Sequence, residues 1–130
     1  MNNLPELTDR YFAVWSETDA ERRRELIART STETASYLDP VMNGEGHAGI
    51  DAMIQGVQER FAGYRFRPTS EIDAHHDRIR FSWELVPEGG PALVIGTDFG
   101  IVAADDRLQT ITSFLDIPAC YLNHKPYASI

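Results

Sequence analysis

Apolar side chains at Leu4, Leu7, Tyr11, Val14 and Trp15 recur at helical spacing, so the first segment reads as an amphipathic helix from about Pro5 to Ser16. Pro5 fits its first turn, where a backbone donor is not missed. Thr18 followed three residues later by Glu21 is a capping-box pattern, and ERRRELIART then offers Leu26 and Ile27 as the apolar side of a short second helix. The threonine-rich TSTETASYLDP favours a strand ending at Pro40, with VMNGEGHAG as a glycine-punctuated loop after it. Ile50, Met53, Ile54, Val57 and Phe61 then repeat at i, i+3, i+4, i+7 and i+11, which predicts a third helix between Gly49 and Gly63.

From Tyr64 onward the period changes to that of strands. In RIRFSWELV, Ile79, Phe81, Trp83 and Leu85 alternate with Arg80, Ser82 and Glu84, one set for a core and the other for water or a partner. Turn-forming AHHDR, PEGGP and AADDR divide this half into four long strands, the last running through LQTITSFLDI to Pro118. The tail ACYLNHKPYASI reads as a loose extension, residues 118–130, of a single domain. Three helices followed by antiparallel strands predict an α+β domain whose helices cover one face of the sheet. A sheet curling around such helices leaves a cone-shaped cavity, the kind of place where small ligands bind.

Composition narrows the partners. A chain of 130 residues suits one core. Its formal net charge of -8, with the cations scattered or interleaved with acids, opposes binding to nucleic acid. The start MNNLPELTDR lacks signal-peptide character, and no apolar run approaches membrane-spanning length. The single cysteine, Cys120, cannot form an internal disulfide, so a cytoplasmic setting is expected. No histidine pair has ligand spacing, and neither a phosphate-cradling glycine motif nor a nucleophile elbow occurs. The expectation is a protein without metal or cofactor that handles a small apolar molecule.

The order of elements, together with RYFAVWSETD, SYLDPVMNGEGHAGI and VIGTDFGIVAADDRLQTITSF, resembles the nuclear transport factor 2-like superfamily, and in particular its SnoaL-like and ketosteroid isomerase-like members. The resemblance spans about Leu4 to Ile117 and implies a cystatin-like cone, three helices packed on a curved, mostly antiparallel sheet. In the steroid isomerases a helix tyrosine and a strand acid form an oxyanion hole, and an Asp before Pro is the base. Those enzymes keep one aspartate ionised to accept a proton and another protonated to donate a hydrogen bond. Tyr11, Asp98 and Asp39 fall at the tyrosine, strand-acid and base positions. Among SnoaL-like polyketide cyclases an aspartate on the sheet acts as acid or base, a role Asp98 could fill alone, so either carboxylate remains the acid–base group.

Proton abstraction beside a carbonyl needs a base on one side and donors aimed at the oxygen on the other. Asp39 and Asp98 supply the carboxylates, with Tyr11 and His47 as supporting donors and Trp83, Met42, Phe61 and Phe114 as cavity walls. The ordinary readings are a turn acid for Asp39, a core tyrosine for Tyr11 and a loop-bonded His47. Asp98 stands apart, because an acid between Thr97 and Phe99 inside a strand needs a partner or a task. Two functions follow: cofactor-independent isomerase, cyclase or dehydratase chemistry on an apolar carbonyl compound, or non-catalytic binding of a hydrophobic ligand. A homodimer through the outer sheet face is expected, with Arg80, Ser82 and Glu84 at the interface or on a wet face.

Overall fold

The computed structural model describes residues 3–116. α1 spans Leu4–Ser16 and buries Leu7, Tyr11, Val14 and Trp15, the stripe its periodicity predicts. α2 spans Ala20–Thr30 and is capped by Asp19, whose carboxylate accepts from the Arg22 amide. The capping-box pattern at Thr18 thus yields to the next residue, an equally good acceptor held in extended backbone at the N-cap.

β1 (Ser31–Leu38) and β2 (Asn43–Glu45) form an antiparallel hairpin, so part of the predicted glycine loop is an edge strand. Its turn closes where the Asp39 amide donates to the Met42 carbonyl at 3.0 Å. Gly44 permits the arrangement, since a Cβ there would lie 3.0 Å from the Gly49 carbonyl oxygen. α3 runs Gly46–Arg60, three residues earlier than expected at its start, and buries Ile50 and Ile54. Phe61 lies just beyond its last turn.

β3 (Arg65–Pro68) and β4 (Asp73–His75) divide the first of the four predicted long strands, and both pair with β5 (Arg78–Val86). The break follows Pro68, which has no amide to continue a ladder. β6 (Val94–Val102) and β7 (Leu108–Asp116) complete a seven-stranded sheet of order β2-β1-β7-β6-β5-β3, with β4 beside β5. β1 runs parallel to β7, and every other pairing is antiparallel.

The three helices lie on one face of the sheet. Ile79, Phe81, Trp83 and Leu85 of β5 point inward and join Leu7, Trp15, Ile27, Ile50 and Ile54 in the core. On the other face, Ile95, Phe99 and Phe114 are exposed on β6 and β7. The polar residues expected to dominate that face are engaged on β5, where Arg80 pairs with Asp73 and Glu84 with Arg67. No helix among the described residues is long and apolar enough to cross a membrane. The expected extension 118–130, with Cys120, lies outside the described residues.

Candidate functional site

A cavity of about 1030 Å³ opens between α1, α3, the β1–β2 turn and the inner face of the sheet. Aromatic rings of Tyr11, Phe12, Trp15, Tyr37, Phe66 and Trp83 line it, with Met42, Met53, Val57, Phe61, Leu85 and Leu115 as aliphatic or peripheral wall. On α3 the cavity face carries Gly49, Ala52 and Gly56, whose missing bulk leaves room between the helix and the opposite wall.

Asp39 lies in this wall, only 8 % exposed. The β1–β2 turn wraps its carboxylate: Oδ1 accepts the amides of Val41 at 2.7 Å and Met42 at 2.9 Å, and Oδ2 accepts the Tyr37 hydroxyl at 2.8 Å. A carboxylate offers about four lone-pair sites, so these three bonds leave one on Oδ2. Pro40 stops the strand at this point, and Tyr37 and Asp39, two residues apart, present their side chains to the same side.

Asp98 sits behind the wall rather than in it, 1 % exposed on the inner face of β6. Its Oδ2 accepts the Tyr11 hydroxyl at 2.7 Å, and its Oδ1 accepts the Trp83 indole N–H at 2.9 Å. Gly96 makes the second bond possible. It faces Trp83 across the β5–β6 ladder, and a Cβ there would fall 2.2 Å from the indole ring, so only glycine lets the ring lie flat over the strand. Ser113, opposite Asp98 on β7, is buried with no hydroxyl partner among the described residues.

Burial pushes the Asp98 carboxyl above the ordinary carboxylate value, and the negative Asp39 adds to the effect against the pull of the surrounding donors. Burial likewise holds the Tyr11 hydroxyl well above its usual range, with Asp98 adding to it, and the Tyr37 hydroxyl above its range, with Asp39 adding to it. Both tyrosines therefore remain protonated donors at any physiological pH. The inner end of an apolar cavity thus carries two carboxylate–tyrosine pairs.

Of the residues singled out from sequence, Tyr11, Asp39 and Asp98 come together here, and Trp83, Met42 and Phe61 line the cavity. Two do not. His47 is half-buried at the start of α3, where its Nε2 lies 2.8 Å from the Ser31 carbonyl, so it ties α3 to β1 instead of facing the cavity. Phe114 is 59 % exposed on the outer face, because the β7 register turns Ile111, Ser113 and Leu115 inward. Tyr37 is a site residue that the sequence reading omits, although its place two residues before Asp39 on a predicted strand signals a shared face. No group of three or more His, Cys, Asp or Glu side chains capable of holding a metal occurs among the described residues.

No family model matches the chain. No curated protein matches it either. Among solved structures, a proposed isomerase of the SnoaL-like family from Agrobacterium tumefaciens is 38 % identical, with a TM-score of 0.84 over 89 % of this chain and 99 % of that one. A proposed SnoaL-like polyketide cyclase from Jannaschia sp. shares the fold at 17 % identity and a TM-score of 0.67, over 85 % of this chain and 83 % of its own. A proposed polyketide cyclase from Sinorhizobium meliloti does so at 19 % identity and 0.66, over 85 % and 94 %. With near-complete overlap and this identity to the Agrobacterium protein, the chain belongs to the SnoaL-like family of the nuclear transport factor 2-like superfamily.

Proposed function

We propose that the protein performs cofactor-independent acid–base chemistry, an isomerisation, cyclisation or dehydration, on a small apolar carbonyl compound held in the cavity. The observation that carries this reading is the pairing of two carboxylates with two tyrosines at one end of an apolar chamber, one carboxylate in the wall and one behind it. Asp39 serves as the base. Its Oδ2 takes the proton from the carbon beside the carbonyl, the C–H electron pair enters the new C=C bond, and charge collects on the carbonyl oxygen. The Tyr37 hydroxyl holds the receiving oxygen in place.

Tyr11 stabilises the oxygen charge, and Asp98 decides whether it is free to do so. With Asp98 ionised, the Tyr11 hydroxyl is committed to it. With Asp98 protonated, the acid donates to the Tyr11 oxygen and the tyrosine hydroxyl turns toward the substrate, a rearrangement that the raised pKa of Asp98 favours. Returning the proton from Asp39 to another carbon completes an isomerisation with no net change in the protein.

The decisive experiment follows α-proton exchange of a panel of enolisable aryl ketones in D₂O by NMR. Wild type accelerates exchange of at least one, and Asp39→Asn reduces the rate by about 100-fold or more. Absence of exchange throughout, or exchange undiminished in Asp39→Asn, refutes the reading. The alternative is a non-catalytic binder of hydrophobic ligands, favoured by the three donors bonded to Asp39 and the two on Asp98. It predicts tight naphthol binding with no exchange. As partner we propose a second copy of this chain, docked through the exposed apolar residues of the outer sheet face.

A further inference from the structure

Among the described residues lining the cavity, two side chains carry formal charge: Asp39 at the tyrosine end, and Arg60 in the last turn of α3. Arg60 lies on the row Ala52, Gly56, Arg60, each four residues from the next, so it shares the cavity face of the helix with the small residues that leave the chamber open. Arg60 is itself exposed, so its side chain stands where the cavity meets solvent. Its guanidinium carbon stands 5.8 Å from the Phe61 ring centroid, which steadies its orientation. It has no hydrogen bond or ion pair among the described residues, although the chain holds 20 acidic side chains against 12 basic ones.

We infer that Arg60 anchors the anionic group of an elongated amphipathic acid whose apolar body fills the cavity and whose reactive end reaches Asp39. The inference rests on the cavity being the ligand site of the function proposed above, and it adds the substrate class. A protein with net charge -8 repels anions in general, so an acid enters only where a local cation offsets that field. A guanidinium suits this task, since its planar fork meets a carboxylate with two parallel hydrogen bonds. The helix also sets the ligand's length. Gly44 and the β1–β2 hairpin pack against Gly49 near the start of α3, and Arg60 lies eleven residues further on, a rise of about 16 Å. An acid about 10 Å or more in length spans that distance once the reach of the arginine is subtracted.

The test compares 6-(2-naphthyl)hexanoic acid with its uncharged primary amide. Binding is followed by quenching of the chain's two tryptophans, Trp15 and Trp83, both in the cavity wall. The acid binds wild type about tenfold more tightly than the amide. Arg60→Gln weakens the acid by about the same factor and leaves the amide unchanged, while Arg60→Lys retains part of the preference and added salt reduces it. Equal affinity of wild type for acid and amide, no binding of either, or an equal loss of both in Arg60→Gln overturns the anchor. An acid preference that depends on Arg60 while ketone exchange fails in every variant sustains the anchor and removes the chemistry at Asp39. Exchange that depends on Asp39 without any acid preference removes the anchor alone.

Discussion

Asp98 shows how much one residue's setting alters its chemistry. Because burial raises its pKa in the folded protein, the native state holds this proton more tightly than the unfolded chain does. Its contribution to stability is therefore complete below the ordinary carboxylate range and is lost as pH rises through the raised value. Glu33 and Asp105, bonded to Arg107 and held below their usual values, act in the opposite sense, their contribution lost as pH falls. The clean readout is a difference: urea midpoints measured from pH 4 to 8 fall less with rising pH in Asp98→Asn than in wild type. Gly96 is the residue beneath this site. Gly96→Ala forces the Trp83 indole away from Asp98, which lowers stability by about 1–3 kcal/mol in thermal unfolding and shifts the tryptophan emission.

Between elements, the helical layer is tied by one buried cation. Arg23 of α2 is 2 % exposed; its Nε donates to Asp51 of α3 at 2.6 Å, and its Nη1 reaches the Glu17 carbonyl and Gln58. Gln58 in turn donates to the Trp15 and Glu17 carbonyls, satisfying the end of α1. The three helices thus meet at a single polar knot. Removing its cation leaves Asp51 without its partner in a largely dry setting, so Arg23→Ala costs about 3 kcal/mol, read from urea unfolding. None of this is visible in ERRRELIART, where three successive arginines look alike and only the packing of α2 on α3 selects the middle one.

Among the described residues, the outer face of β6 and β7 exposes a cluster of large apolar side chains. Ile95, Phe99 and Phe114 are 44 %, 43 % and 59 % exposed, and the two phenylalanine rings meet edge to face at 5.7 Å. A ridge of that kind suits self-association, with Arg80, Ser82 and Glu84 beside it on β5. Analytical ultracentrifugation is expected to find a dimer for wild type and a folded monomer for Phe114→Glu. A wild-type monomer at micromolar concentration rejects the arrangement. The parity of β6 explains why this face departs from the polar one expected. In VIGTDFGIV the outward set Ile95, Thr97, Phe99 and Ile101 is largely bulky and apolar, while the inward set holds Gly96, Asp98 and Gly100 between Val94 and Val102.

The chain by itself determined the three helices and the long strands β1, β5, β6 and β7, because a 3.6-residue or two-residue period is a local property of neighbouring side chains, whereas the short strands β2 to β4 lie in segments too short or too glycine-rich to carry a period. It also marked Asp98 as an acid that a strand does not require, while Tyr11 and Asp39, adequate as a core tyrosine and a turn acid, were singled out by the family resemblance. Only tertiary structure decided that Asp98 lies behind the cavity wall, that Tyr37 completes the pair with Asp39, that His47 serves a backbone carbonyl and that Phe114 faces outward. Those outcomes depend on which edge of a strand meets which neighbour, and that register is set by contacts between residues far apart in the chain.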